Sequence, residues 1–370
     1  MRAGRVFAYG ATAGLVADAL LGDPRRGHPV AGFGRAAARV ESLLWRDDRG
    51  RGALHTLVCA GGAVGAAALA ARAVRGRPAL AVALTAATTW SVVGGTSLGR
   101  EARAIGGALA AGDLEVARER LPHLCGRDPQ ALDGPGIARA VVESVAENTS
   151  DAVVGALVWG AIGGVPGLVG FRAANTLDAM VGHKSPRYRR YGWASARLDD
   201  VVGWPGARLT AALAVAGGRP AQAVHAWKAD AHRHPSPNAG PVEAAFAGAL
   251  GVRLGGTLAY AGRVEHRPVL NGESGREVRG SDIERAVRLS RRVSALALGV
   301  CVAGRLVAGH LVAGRSGAGL SGVGRSGAGR SGAGRSAAGL SGVGRSGAGR
   351  SAAGRSAAGL SAAAWKRGRG

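Results

Sequence analysis

Three carboxylates four residues apart raise the first chemical question. In Glu143-Ser-Val-Ala-Glu-Asn-Thr-Ser-Asp151 a helix stacks Glu143, Glu147 and Asp151 on one face, with Asn148 three residues before Asp151. Like charges at this spacing repel, so an arrangement that costs stability points to a cation between them. Hard oxygen donors suit Mg²⁺, usually shared with the phosphates of a nucleotide. Glu143, Glu147, Asn148 and Asp151 are therefore the candidate metal ligands, and the plain alternative is a solvated acidic helix face.

The segment "FRAANTLDAMVGHKSPRYRRYGWASARLDDVVGW" carries the complementary charge. Arg172, Asn175 and Asp178 fall on one helical face, and Lys184, Arg187, Arg189, Arg190 and Arg197 surround Asp199 and Asp200. Carboxylate, amide and guanidinium groups mixed in this way are what a magnesium-phosphate ligand requires. A positive loop on the cytoplasmic side of a membrane is a compatible reading. Gly182-His183-Lys184-Ser185 imitates the end of a Walker motif, but the spacing is wrong and no strand precedes it. Two turn-rich pieces, "DALLGDPRRGHPV" and "DAHRHPSPNAGPV", add Asp23, His28, His234, Ser236 and Asn238 as binding candidates. His225, His232 and His234 crowd together, which allows a zinc site, a phosphate contact or ordinary loop histidines.

The elements that must position these groups look built for lipid. Residues 78 to 99 are uncharged for 22 positions and 152 to 171 for 20, enough to cross the hydrocarbon of a bilayer. Weaker candidates are 6 to 22, about 53 to 71, 201 to 217 with Arg208 inside, and 293 to 313 with Arg305 inside. The competing reading makes all six core helices of a soluble all-α protein. The basic, apolar N-terminus could also be a signal peptide, but it leads straight into a polar motif, which favours an uncleaved first membrane helix. Residues 250 to 292 read as amphipathic helix and turn. A straight helix over 152 to 171 would hold the acidic and basic clusters about 30 Å apart on opposite membrane faces. Gly163, Gly164, Pro166 and Gly167 interrupt that run, so the sequence predicts a broken, re-entrant pair of half-helices.

Composition narrows the class. The 370 residues include 64 Gly and are 47% hydrophobic with a formal charge of +24, of which +10 lies in residues 314 to 370. Cys59, Cys125 and Cys301 are too scattered for a disulfide framework or a cysteine zinc site. From Gly314 the chain repeats a Gly/Ser/Arg pentad, too poor in apolar surface to offset its chain entropy. The tail's arginines could touch anionic lipid or nucleic acid, or have no dedicated role. The fold expected is all-α: a polytopic integral membrane helical protein with large polar connecting loops, a catalytic domain over 1–312, and a disordered tail over 313–370.

In chain order, Asp18, "GDP" at 22 to 24, "HPV" at 28 to 30, "GRD" at 126 to 128, "VVESVAENTSD", "NTLDAMVGHKSPRY", "SARLDD" and "SPN…EA…GAL" resemble the cobinamide-phosphate synthase family of cobalamin biosynthesis. The resemblance covers about residues 6 to 310 and omits the repeat tail. It implies a multi-pass enzyme of the inner membrane that joins adenosylcobyric acid to aminopropanol phosphate, or to aminopropanol, in an ATP-dependent amide ligation. Mg²⁺ would accompany ATP, the corrinoid would be substrate, and the active-site loops would face the cytoplasm. Under it Asp178, Lys184, Arg197, Asp199 and Asp200 are the catalytic candidates. Asp23, His28, Arg172, Asn175, His183, Arg187, His234, Ser236 and Asn238 would contact ATP or substrate. A homo-oligomer or an assembly with other cobalamin enzymes is compatible with it.

Two other classes compete. A polytopic transporter would place ionisable groups facing each other inside the spans, whereas here they gather in the connecting segments. A nucleic-acid binder would interleave aromatics with its basic residues, and the tail has only Trp365.

Overall fold

The computed structural model describes residues 3–24, 27–260 and 263–318, and the chain folds as an all-α protein with one small hairpin. The repeat tail expected to be disordered lies, from residue 319 on, outside the described residues. Among the described residues four helical stretches are long and apolar enough to cross a membrane: Arg49–Ala73, Pro78–Ala110, Gly134–Gly182 and Gly280–Leu311. The weaker candidates at 6 to 22 and 201 to 217 are also helical, within α1 (Ala3–Leu21) and α9 (Trp193–Gly217), but are not among those four.

Small residues bring the helices together. In α1, Gly10 and Gly14 lie against Thr85 and Thr89 of α4 (Pro78–Val92), and a Cβ at either glycine would stand 2.5 Å from the Cβ of its threonine. Two glycines four apart admit close backbone approach, the packing that helices use where lipid removes any hydrophobic drive to associate. Large side chains such as Leu20, Leu57, Leu69 and Leu296 point outward and stay exposed, as a lipid-facing belt requires.

The apolar run 78 to 99 is not one rod. Helix α4 stops at Val92, and α5 (Gly95–Ala110) starts anew after Gly94. A break at this depth frees backbone carbonyls that must find donors. The buried Arg172 supplies them, its Nε donating to the Val92 carbonyl at 2.7 Å and its Nη2 donating to the same oxygen.

The run 152 to 171 is broken as well. Helix α8 (Gly155–Leu177) carries Gly164 at φ 63°, ψ −143°, a conformation open to glycine and to almost no other residue. The chain turns there and returns, so Gly155 makes room for the Phe171 ring and Gly167 packs on the Trp159 carbonyl. At the tip, Arg305 of α12 (Gly280–Ala318) donates to the Ile162 carbonyl at 3.2 Å. A π turn flanks each end of the hairpin, Ser150–Val154 before it and Asp178–Gly182 after it. Helix α7 (Gly134–Thr149) leads in, buried against α5, α11 and α12.

The reading of 250 to 292 as helix and turn is corrected. Leu254–Tyr260 (β1) pairs antiparallel with Arg263–Leu270 (β2), with a register shift between Leu254 and Gly256. Gly255 and Gly256 adopt φ of 83° and 86°, which a right-handed helix cannot contain. Leu254 and Leu270 anchor the hairpin in the core.

Candidate functional site

The helical hairpin sets its two ends side by side, and the acidic and polar groups of both ends line one cavity. Glu147, Ser150 and Asp151 come from the descending side, Asn175 and Asp178 from the returning side. Asp199 of α9 and Ser236 and Asn238 at the start of α11 (Ala239–Leu250) close it. The cavity measures about 20 Å³, room for one water or one ion. Asp151 and Asp178 each stand in the first turn of a π segment. Such widened turns shift helical register by one residue and often mark functional positions.

Supporting bonds fix this lining. Asn175 Nδ2 donates to Asp199 Oδ1 at 3.4 Å, and Asn238 Nδ2 donates to the Asp200 carbonyl at 3.0 Å. Arg208 donates to Asn238 Oδ1 at 3.0 Å, leaving that amide with both ends engaged. A side chain at Gly203 would collide with Asn238, so the glycine is what lets the amide lie on α9. Ser236 Oγ accepts from the amides of Asn238 and Ala239, holding the turn that leads into α11.

The residues that follow in the chain, Gly182 to Lys184 after Asp178 and Asp200 after Asp199, line a second cavity of about 440 Å³. Arg49, His183, Lys184, Arg189 and Arg197 supply its positive charge, with Asp200 at the border and Tyr188 and Trp193 as aromatic walls. That volume falls in the range of small-molecule sites. Arg49 opens α3 (Arg49–Ala73), whose N-terminal dipole adds to the field for an anion. The basic loop is held firmly despite its charge. Tyr191 is fully buried, Tyr188 Oη donates to Glu41 at 2.8 Å, and Arg187 reaches Glu41 at 3.2 Å while lying 4.3 Å over the Trp45 ring. Burial holds His183 below its ordinary pKa, so the cavity's charge at neutral pH comes from its lysine and arginines.

Several expected ligands stand elsewhere, and the four-residue metal set is corrected. Glu143 turns away from Glu147 to pair with the buried Arg127, and it accepts from the Gly255 amide at 2.7 Å. Its work is to tie α7 to the hairpin strand, and removing one partner of such a pair costs on the order of 3–5 kcal/mol. Asn148 donates to Ser144 and does not reach the cavity. Among the described residues no three of His, Cys, Asp and Glu stand ready to hold a metal, which also removes the three-histidine zinc site. His225 faces Glu273 at 4.0 Å, whereas His234 is buried. Arg172 is committed to Val92, Asn175 and the Ala152 carbonyl, and Arg187 to Glu41. Asp23 and His28 lie beside Arg172 rather than in either cavity, and burial lowers the His28 pKa.

The residues that the sequence concealed form a layer beneath the acidic cavity. Glu243 lies 3.9 Å from His234, both almost fully buried, with Arg127, Arg267 and Glu143 close enough to shift its titration. Burial first, and then the Glu143 charge, push Glu243 up to about 8, while burial and the Arg267 charge hold His234 down at about 4. Glu243 stands in an apolar run, "PVEAAFAGAL", and a single charge in such a run was the available signal.

Comparison with known proteins places the chain. The family described as CobD/Cbib protein matches residues 11–290. The cobalamin biosynthesis protein CobD of Mycobacterium tuberculosis (strain ATCC 25618 / H37Rv) is 53% identical over 300 residues, 80% of this chain and 95% of its own. The protein of that name from Chromobacterium violaceum is 44% identical over 283 residues, 75% of this chain and 90% of its own. That from Rhodobacter capsulatus is 43% identical over 280 residues, 73% and 87%. No solved structure matches the chain.

Proposed function

Since the chain belongs to the CobD/Cbib family of cobalamin biosynthesis proteins, we propose that it catalyses the ATP-dependent amide ligation that its sequence resembles, joining adenosylcobyric acid to aminopropanol phosphate or aminopropanol. The observation that carries this reading is the shared wall. An acidic cavity of ionic size and a basic cavity of ligand size are lined from the same two segments, Asp178 on one and Gly182 and His183 on the other, Asp199 on one and Asp200 on the other.

The donors present fit a hard cation in kind. Glu147, Asp151, Asp178 and Asp199 offer carboxylate oxygens beside the Asn175 amide, the hard donors that Mg²⁺ takes together with phosphate oxygens and water. Mg²⁺ held there would supply neutralising charge for the phosphates of ATP. Lys184, Arg189, Arg197 and Arg49 bind those phosphates from the basic side, and Tyr188 and Trp193 offer faces to a base.

A carboxylate does not condense with an amine until one of its oxygens can leave. Transfer of a phosphoryl group from ATP to the substrate carboxylate makes that oxygen a phosphate leaving group. The amine then attacks the carbonyl, the C–N bond forms as the C–O bond breaks, and phosphate departs. Asp199 or Asp200, at the seam of the two cavities, accepts the proton that the attacking ammonium must lose. A corrin macrocycle exceeds the 440 Å³ cavity, so the corrin lies over the protein's polar face and only its reacting carboxylate arm enters. Because ATP is the co-substrate, this face is cytoplasmic and the membrane is the cell membrane.

Membranes carrying Asp178→Asn or Lys184→Ala test the reading. Each variant should form cobinamide phosphate at least about 100-fold more slowly than the parent, the order of loss seen when one charge-stabilising group is removed. Parental rates in both would contradict it.

A further inference from the structure

A third cavity, of about 180 Å³, lies between the first half of α5 and the fourth turn of α12. Its lining is Gly95, Thr96, Gly99, Arg100, Arg103 and Arg291. Room on the order of six water molecules, at roughly 30 Å³ each, is enclosed by three guanidinium groups. Two of them come from one helix and the third from another almost 190 positions later in the chain, so the convergence is a product of the tertiary fold.

The charge there is only partly offset. Arg103 donates to Glu284 at 2.7 and 3.3 Å, and Arg288 stands 3.9 Å from the same carboxylate. Neither Arg100 nor Arg291 makes a direct ion pair among the described residues. Their charges are felt at longer range by Asp18 and Glu284 respectively. Asp18 also accepts from the Thr96 amide at 3.1 Å and so occupies part of the α5 N-terminus, which leaves the arginines as the binding groups. Three like charges brought to one cavity repel, and an anion between them removes that cost.

The position of the cavity identifies the anion's setting. The outward apolar stripe of α12 begins at Leu296 and continues through Val300 and Val307, all exposed. Arg291 precedes Leu296 by about 7.5 Å of helix at ~1.5 Å per residue. On the other wall, Arg100 follows the break that ends the apolar run of α4. The cavity therefore opens at the polar edge of the lipid belt, where basic pockets between membrane helices receive phosphate headgroups.

We propose that Arg100, Arg103 and Arg291 form a phosphate-ester binding site at the membrane surface, separate from the two cavities of the reaction centre. The group bound is a phosphate monoester or diester, such as the headgroup of an anionic phospholipid. This site does not depend on the amide-ligase reading.

The test uses the full chain in zwitterionic detergent, with native mass spectrometry and thermal unfolding as readouts. Phosphatidylglycerol, phosphatidylcholine and inorganic phosphate are compared on the parent and on Arg100→Gln/Arg291→Gln. Both arginines are exposed, and the single variant Arg291→Gln serves if the pair proves unstable. The parent should retain phosphatidylglycerol over phosphatidylcholine, and the double variant should bind it at least tenfold more weakly. Competition by inorganic phosphate, or stabilisation by phosphate alone, would support the site and assign it to a soluble ester. Equal retention of phosphatidylglycerol by parent and variant, or no preference over phosphatidylcholine with no effect of phosphate, would overturn the proposal.

Discussion

Glu243 shows how much the environment of one residue decides. Its folded value of about 8 stands above an ordinary 4.5, so between those limits the folded protein holds a proton that the unfolded chain has lost. Its contribution to stability is complete below about 4.5 and drains away as pH rises through 8. His234 runs the opposite way, its contribution complete above 6.5 and lost as pH falls toward 4. Only the first acts between pH 6.5 and 8. The unfolding midpoint in detergent should therefore fall across that window more steeply in the parent than in Glu243→Gln. A parental slope in the variant would show that Glu243 does not carry the proton. Local spacing could not reveal this group, because its environment is built by Arg127, Arg267 and Glu143 from distant segments. The same limit explains Glu143: the helix stack shows it beside Glu147, but the Arg127 guanidinium, known only from the fold, draws it the other way.

The helical hairpin is the element on which the site depends. Its break was legible, because four turn-forming residues within five positions cannot continue a spanning helix, and Gly164 takes the positive φ that such a break needs. The π turns at each end were not legible, since nothing in "SDAVV" or "DAMVG" distinguishes them from ordinary helix. The β-hairpin was missed for a related reason: its strands are short, and its bulge glycines read equally well as a turn. The hairpin's return is open to labelling. Thr149 and Ala174 beside the cavity are buried, so reporters belong at the exposed Gln130 and Arg190. Cysteines at those two positions should react with an impermeant reagent from the same membrane face, and the three native cysteines, all buried, give little background. Reaction from opposite faces would restore a straight span and separate the two clusters.

At the scale of the molecule, the fold is a set of closely packed helices, and the two cavities draw their linings from the helical hairpin, the basic loop after it, α9 and the turn before α11. Order along the chain gave the family, and the 53% identity to the Mycobacterium tuberculosis protein agrees with it. The hydropathy pattern located the apolar helices, yet it could not show that α4 and α5 are separate or that Arg172 seals the gap. The distribution of charge follows the same logic. Carboxylates line the small cavity and cations the large one, and Asp199 and Asp200, adjacent in α9, divide between the two; in the proposed function the wall between them is where a phosphoryl group and an amine meet. In the proposed reaction this wall couples nucleotide cleavage to amide formation. It is tested by counting: purified membranes are supplied with adenosylcobyric acid, aminopropanol phosphate and Mg²⁺, with and without ATP, and phosphate release is followed beside the corrinoid product. No product should form without ATP, and one phosphate should be released for each amide formed. Product in the absence of nucleotide, or amide formation unaccompanied by phosphate, would contradict it.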